Sequence, residues 1–293
     1  MQLSLLLAVF CTWGHYGMMK YTLRLVSFLM GTMVLAASVR ADAQDEVVDV
    51  ELVLAVDVSL SMMPFELEIQ RKGYAAAIAD PSVVKAIQQG VHGRIAVTYL
   101  EWAGNFSHRQ VVPWTIVASM ADAKAFAASI TSNSGRGMRR TSISGAIDQA
   151  ASLFEENGIR GLKRVIDISG DGPNNQGRPV TQARDDAVAK GIVINGLPLM
   201  TLDSSPYGSF DIPDLDRYYA DCVIGGPGAF MVPVDDWEQF PAAIRRKLVL
   251  ELAGLPSPAP VVLAATGSEV DSRSDCMVGE KIWQRRFQMF EDN

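Results

Sequence analysis

The stretch Val50-Glu51-Leu52-Val53-Leu54-Ala55-Val56-Asp57-Val58-Ser59-Leu60-Ser61-Met62 decides the fold. Leu52–Val56 is a continuous apolar run, the pattern of a strand buried on both faces of a parallel sheet. Asp57, Ser59 and Ser61 follow at alternate positions, and Pro64 suits the first turn of a helix. An open α/β sheet places polar groups in this way at the carboxyl end of a strand, where such sheets bind ligands. One carboxylate and two hydroxyls are three hard oxygen donors from one turn.

Outward from this stretch the elements alternate. Apolar positions at helical spacing run from Phe65 to Ala77, and Ser82–Gln89 predicts a shorter helix. Arg94–Trp102 reads as a second strand. Arg109–Trp114 is a short third one, and its Pro113 predicts an edge position. A helix is predicted over Ala121–Ile130, and a second from Ile143 to Phe154 on an apolar stripe. Lys163–Ser169 and Ile192–Leu197 are strands, with a helix between them that opens at Pro179. Asp214–Val223 reads as helical, Phe230–Val234 as a last strand and Trp237–Leu252 as a closing helix. The alternation predicts a doubly wound, mostly parallel sheet of about six strands, with helices on both faces and one short antiparallel edge strand.

Bulk properties narrow the function. The 293 residues are 48% hydrophobic and 20% charged, with a net charge of −7, an ordinary globular composition. Residues 1–43 hold Lys20, Arg24 and Arg40 against Asp42, leaving 23 basic and 32 acidic residues and a net −9 beyond them. A nucleic-acid partner wants a basic face, so none is expected. Residues 1–43 read as a signal peptide. Met19–Arg24 is basic, Leu25–Ala37 is apolar, and Ala41-Asp42-Ala43 has the form of a cleavage site. The true start is then Met18 or Met19. The apolar part is shorter than the roughly 20 residues a membrane span needs, which predicts export to the periplasm or medium with no span retained. Leu255–Pro260 is a Pro-rich linker, and the segment to Asn293 is a short tail. Cys222 and Cys276 either pair in the oxidising compartment or stand as two thiols. Zinc is not expected, since no Cys-x-x-Cys occurs and only His92 and His108 lie beyond the leader.

Three loops carry the polar chemistry. The first holds Asp57, Ser59 and Ser61, the second Thr141 and Ser142, the third Asp171. In a doubly wound sheet such loops converge on one edge. Two carboxylates and three hydroxyls suit Mg²⁺ or Mn²⁺, which take six oxygens in octahedral array, with water or a partner's group completing the shell. Asp171–Gly177 is not a calcium loop of the EF-hand kind, because Gln176 and Gln182 stand where glycine and glutamate belong; it reads as a turn.

At these residues the chain resembles the von Willebrand factor type A (vWA) domain with its metal-ion-dependent adhesion site, over residues 48–254. Asp57–Ser61, Thr141 before an amphipathic helix, and Asp171-Gly172 after a strand agree in order and spacing. The segments Asp57–Met62, Arg140–Ser144 and Ser169–Asn175 also resemble an exported bacterial branch described only as a domain of unknown function. The resemblance implies a cation ligated by Ser59, Ser61 and Thr141, and by Asp57 and Asp171 directly or through water. A partner protein's carboxylate would complete it. Leu60 departs from a glycine common in the first motif, and Arg139-Arg140 adds positive charge at the rim.

The resulting expectation is an exported, non-enzymatic binding module. One alternative is a metal-dependent phosphotransferase or hydrolase on a similar sheet. An aspartyl nucleophile at Asp57 would want an acid/base two residues on, where Ser59 stands, and no Gly-x-Ser-x-Gly elbow occurs. The other is a metal-stabilised structural domain that binds elsewhere.

Overall fold

Leu52–Val56 is the middle of a longer strand. In the computed structural model, which describes residues 45–132, 135–155, 157–201, 212–253 and 273–291, strand β1 spans Glu46–Asp57. Strands β2 (Ile95–Trp102) and β4 (Ile159–Gly170) pair with it in parallel on either side. Strand β5 (Ile192–Pro198) lies parallel to β4. Strand β3 (His108–Val117) closes the other edge, antiparallel to β2, giving the order β3-β2-β1-β4-β5. Pro113 sits where the β2–β3 register shifts, between the pairs Tyr99↔Val112 and Val97↔Thr115. A residue without an N–H is tolerated at such an edge.

β1 is apolar from Leu52 to Val56 because both its faces are covered there. Leu52, Leu54 and Val56 point to one layer, Val53 and Ala55 to the other, as alternation requires. The first layer holds α1 (Pro64–Ile78), α2 (Pro81–Gln88), α3 (Met120–Thr131) and α7 (Phe240–Leu252). The second holds α4 (Ile143–Ser152), α5 (Val180–Ala189) and α6 (Leu215–Tyr218), which runs into a π-helical turn, Tyr219–Val223. Each fully buried aliphatic side chain contributes about 1.5–3 kcal/mol, so this two-sided burial fixes β1 and the loop at its end.

The expected sixth strand is reduced. Phe230–Val234 meets β5 and the residue after it only through isolated bridges, Gly196↔Met231 and Leu199↔Val234. The Gly196 amide donates to the Phe230 carbonyl, and the Val232 and Val234 amides donate to the Gly196 and Pro198 carbonyls. Pro198 has no N–H to return to Val232, which interrupts the ladder there. The tail is more ordered than its weak apolar pattern suggests, with helix α8 over Val278–Glu291. Cys222 and Cys276 are joined as a disulfide, with Cα atoms 5.5 Å apart. Among the described residues no helix is long and apolar enough to cross a membrane. The expected signal peptide (1–43) and the linker (255–260) lie outside the described residues.

Candidate metal centre

Asp57 ends β1 opposite Trp102, the last residue of β2. The chain turns there because its groups find partners in sequence. The Val58 amide donates to the Trp102 carbonyl at 2.8 Å, the Ser59 amide to Asp57 Oδ1 at 2.6 Å, and the Met62 amide to the Ser59 carbonyl at 3.1 Å. Gln70 on α1 reaches back to the Asp57 carbonyl at 3.1 Å. The Met63 amide, at the start of α1, donates to Glu66 Oε2 at 2.6 Å. This is half of a capping box, and Glu66 Oε1 also accepts from Trp237 Nε1. The loop is built to hold one shape.

The third loop meets the first. Ser61 Oγ donates to Asp171 Oδ1 at 3.0 Å and lies 2.8 Å from Ser59 Oγ. Asp57, Ser59, Ser61 and Asp171 therefore form one hydrogen-bonded group at the carboxyl ends of β1 and β4. Asp57 is fully buried, and among the described residues its Oδ2 has no hydrogen-bond partner. Such an atom in a dry site costs free energy unless something positive or donating meets it. Burial, and then the charge of Asp171, push the Asp57 carboxyl well above its ordinary range, with Ser59 opposing. The donors are all hard oxygens and the excess charge is negative, so the four residues fit a divalent cation.

Thr141 reaches the same edge through its backbone. Its amide donates to Asn175 Oδ1 at 3.1 Å, and its carbonyl accepts from the Asn175 amide at 2.9 Å. The preceding segment is drawn against the first loop, where the Met138 amide donates to the Val58 carbonyl at 2.8 Å. Thr141 is buried. Among the described residues its hydroxyl makes no hydrogen bond to the other four. Ser142, its neighbour in the second loop, is engaged elsewhere. Its Oγ accepts from the Gly145 amide at 3.1 Å as the N-cap of α4 and donates to the Gln176 carbonyl at 2.8 Å.

The segment Asn174-Asn175, which the sequence presents as an ordinary turn, is the clamp of the second loop. Asn175 holds Thr141, while Asn174 Oδ1 accepts from the Ser144 amide at 3.0 Å. Asx side chains in a loop after a strand were the available signal, but their targets lie some thirty residues away. Two further features escaped the sequence. Glu101, buried in β2, is ion-paired to both Arg71 and Arg109, behind the second loop, where Arg71 also donates to the Gly135 carbonyl at 3.2 Å. Arg140 has a left-handed backbone (φ 76°), a conformation that costs a non-glycine residue about 1–3 kcal/mol and clusters at functional sites. His108 starts β3 and Trp102 is core, while Trp114 donates to the Leu153 carbonyl. Among the described residues no group of three or more His, Cys, Asp or Glu side chains is placed to hold a metal; this set has two carboxylates, and its other donors are hydroxyls.

Leu60 in the first loop (42% exposed), Phe65 in the first turn of α1 (49%) and Phe106 in the turn after β2 (93%) present large apolar side chains to solvent. The Arg136, Arg139 and Arg140 side chains belong to the second loop. Leu60, in place of the expected small residue, lies against Gly137: a Cβ there would sit 3.1 Å from Leu60 Cδ2.

No curated protein matches the sequence. Among solved structures, the open form of the pilus adhesin SpaC from Lactobacillus rhamnosus GG shares the fold with a TM-score of 0.51 and 14% identity. The match covers 72% of this chain and 30% of the adhesin. A von Willebrand factor type A protein from Catenulispora acidiphila matches at TM-score 0.46 and 14% identity, over 70% of this chain and 42% of that one. BatB from Bacteroides thetaiotaomicron matches at TM-score 0.42 and 21% identity, over 70% and 98%. At such identities the likeness is of fold. The chain has an α/β fold with a mixed five-stranded sheet, and its sequence matches over residues 46–256 the family described as "Protein of unknown function (DUF1194)", to which it belongs.

Proposed function

We propose that residues 48–254 form a non-enzymatic binding module that engages a protein partner through one divalent cation, Mg²⁺ or Mn²⁺. The metal is held by Asp57, Ser59, Ser61, Thr141 and Asp171. The observation that carries this reading is the buried Oδ2 of Asp57, unpartnered among the described residues, beside the Ser59–Ser61–Asp171 hydrogen-bonded chain. A cation supplies what that atom lacks and separates the two carboxylates electrically. With two charged and three neutral donors, the metal keeps enough positive charge to attract one more anionic ligand. A carboxylate from the partner fills that role. The arginines of the second loop attract the same acidic group, and Leu60, Phe65 and Phe106 offer apolar surface around it. A few aromatic and aliphatic anchors ringing one charged contact is a common interface anatomy.

Export belongs to this reading, with residues 1–43 as the signal peptide and residues 255–293 as linker and tail. An aspartyl nucleophile at Asp57 is disfavoured, because the position two residues on is Ser59, whose hydroxyl lies against Ser61. The test is capture of acidic-loop partners from the exported fraction, with Mg²⁺ and with chelator. Chelator should release the partner, and Asp57→Ala should not capture it. Equal capture with and without metal would place recognition elsewhere, and hydrolysis of a generic phosphate ester that is lost in Asp57→Asn would make the protein an enzyme.

A further inference from the structure

Helix α8 lies beyond the family match, which ends at residue 256, yet it touches the two loops that carry Thr141 and Asp171. Its first turn is seated on the third loop. Gly279 comes so close to the Asn174 carbonyl that a Cβ there would sit 2.1 Å from the oxygen. Glu280 Oε1 accepts from Asn174 Nδ2 at 2.7 Å. One turn further on, the Trp283 ring lies 3.3 Å below the Arg140 guanidinium. The Cys222–Cys276 disulfide and the Ser274 amide, which donates to Asp221 Oδ2 at 2.8 Å, tie the start of the helix to the π-helical turn.

Two routes run from this helix to Thr141. On one, Glu280 and Gly279 fix Asn174, and the adjoining Asn175 holds both the amide and the carbonyl of Thr141. On the other, Trp283 holds Arg140, the residue directly before Thr141. The stack offsets the unfavourable left-handed backbone at Arg140 and keeps the chain turning into Thr141.

We propose that α8 is a disulfide-anchored strap, and that Glu280 and Trp283 are positioning residues that hold Thr141 in place for the cation. The strap rests on the cation-site reading above and adds a regulator to it. Without the stack, Arg140 relaxes to an ordinary backbone and Thr141 leaves the position in which its hydroxyl serves the metal. Coupling between a remote contact and a ligand site of this kind is worth about fivefold or more in affinity.

The test is titration of the full chain with Mn²⁺ alone, following free Mn²⁺ by electron paramagnetic resonance well below the melting temperature. Trp283→Ala and Cys276→Ser should each weaken Mn²⁺ binding by about fivefold or more. Trp283→Phe, which keeps a ring under Arg140, should recover most of it. A strap that only stabilised the fold would lower the melting temperature and leave the Mn²⁺ affinity of the folded protein unchanged. Wild-type affinity in both weakened variants overturns the proposal and leaves the cation site standing. A wild-type protein that takes no Mn²⁺ removes the cation site itself, and the strap's role with it.

Discussion

Ser61 Oγ and Asp171 Oδ1 are 3.0 Å apart although 110 residues separate them in the chain. That contact joins the loop after the central strand to the loop after its neighbour β4, and it brings the second carboxylate beside Asp57. Every prediction about the metal follows from this crowding of negative charge at a buried edge.

The first concerns metal-free protein. Asp57→Asn keeps an oxygen for the Ser59 amide and removes a buried charge that repels Asp171. Without divalent cation the variant should melt at or above the wild-type temperature; with excess Mg²⁺ or Mn²⁺ the order should reverse. Binding at a hundredfold excess over Kd adds about 2.7 kcal/mol to a protein that binds, and the variant should gain nothing. Differential scanning calorimetry with and without metal reads both halves.

The second concerns the buried ions on the opposite side of the sheet from the strap. Lys247 on α7 is fully buried between Asp167 of β4 and Glu251, which lies 2.6 Å away. Attraction from both carboxylates outweighs burial and keeps the ammonium charged. Lys247→Met leaves two carboxylates without a counter-charge and should cost about 3–5 kcal/mol in chemical denaturation. The double change Lys247→Met with Asp167→Asn should recover a substantial part. No recovery would mean that packing, and not charge, is what Lys247 supplies.

The third is a pH dependence of the same group. One ammonium cannot neutralise two carboxylates. Burial, aided by the charge of Glu251 and opposed by Lys247, pushes Asp167 up to about 7 from its ordinary 3.8. A raised folded-state value means that the native protein holds an extra proton between those two limits. Its stability from this group is therefore full at the acid end, falls as pH rises toward about 7, and is flat above. The slope is at most about 1.4 kcal/mol per pH unit. Unfolding free energies from acidic to neutral pH should show this fall in the wild type and lose it in Asp167→Asn. Parallel curves for the two proteins would refute it.

The fourth concerns the tail. Cys222 and Cys276 close a loop of 54 residues, and a cross-link of that size is worth about 2–4 kcal/mol. Cys276→Ser should lower the unfolding free energy by that order and increase hydrogen exchange at the Ser274 and Lys281 amides. An unchanged protection pattern would show that α8 is held without the bond.

Much of the fold was legible because burial on both faces leaves an apolar run in sequence. The strands β1, β2, β4 and β5 follow from stretches rich in Val, Ile and Leu, and β3 was placed at the edge by Pro113. The sixth strand was over-read, because Phe230–Val234 has strand composition while Pro198 on β5 lacks the N–H that would continue the ladder. At the site, Asp57, Ser59, Ser61 and Asp171 were legible from their places after strands, and the structure brings them together. Thr141 was legible as a position, but what holds it was not. Asn174 and Asn175 look like any turn until their targets across the fold are known. Trp283, in a tail with weak periodicity, gave no hint of Arg140. Charges inside strands, Glu101 and Asp167, were visible; their partners Arg71, Arg109 and Lys247 are set only by tertiary packing.

The central claim is that the Asp57–Asp171 edge is a cation site. Isothermal titration of the purified protein with Mn²⁺ tests it most directly. The account predicts one Mn²⁺ per chain, competed by Mg²⁺ and lost in both Asp57→Ala and Asp171→Ala. No binding, or binding that survives both substitutions, would contradict it.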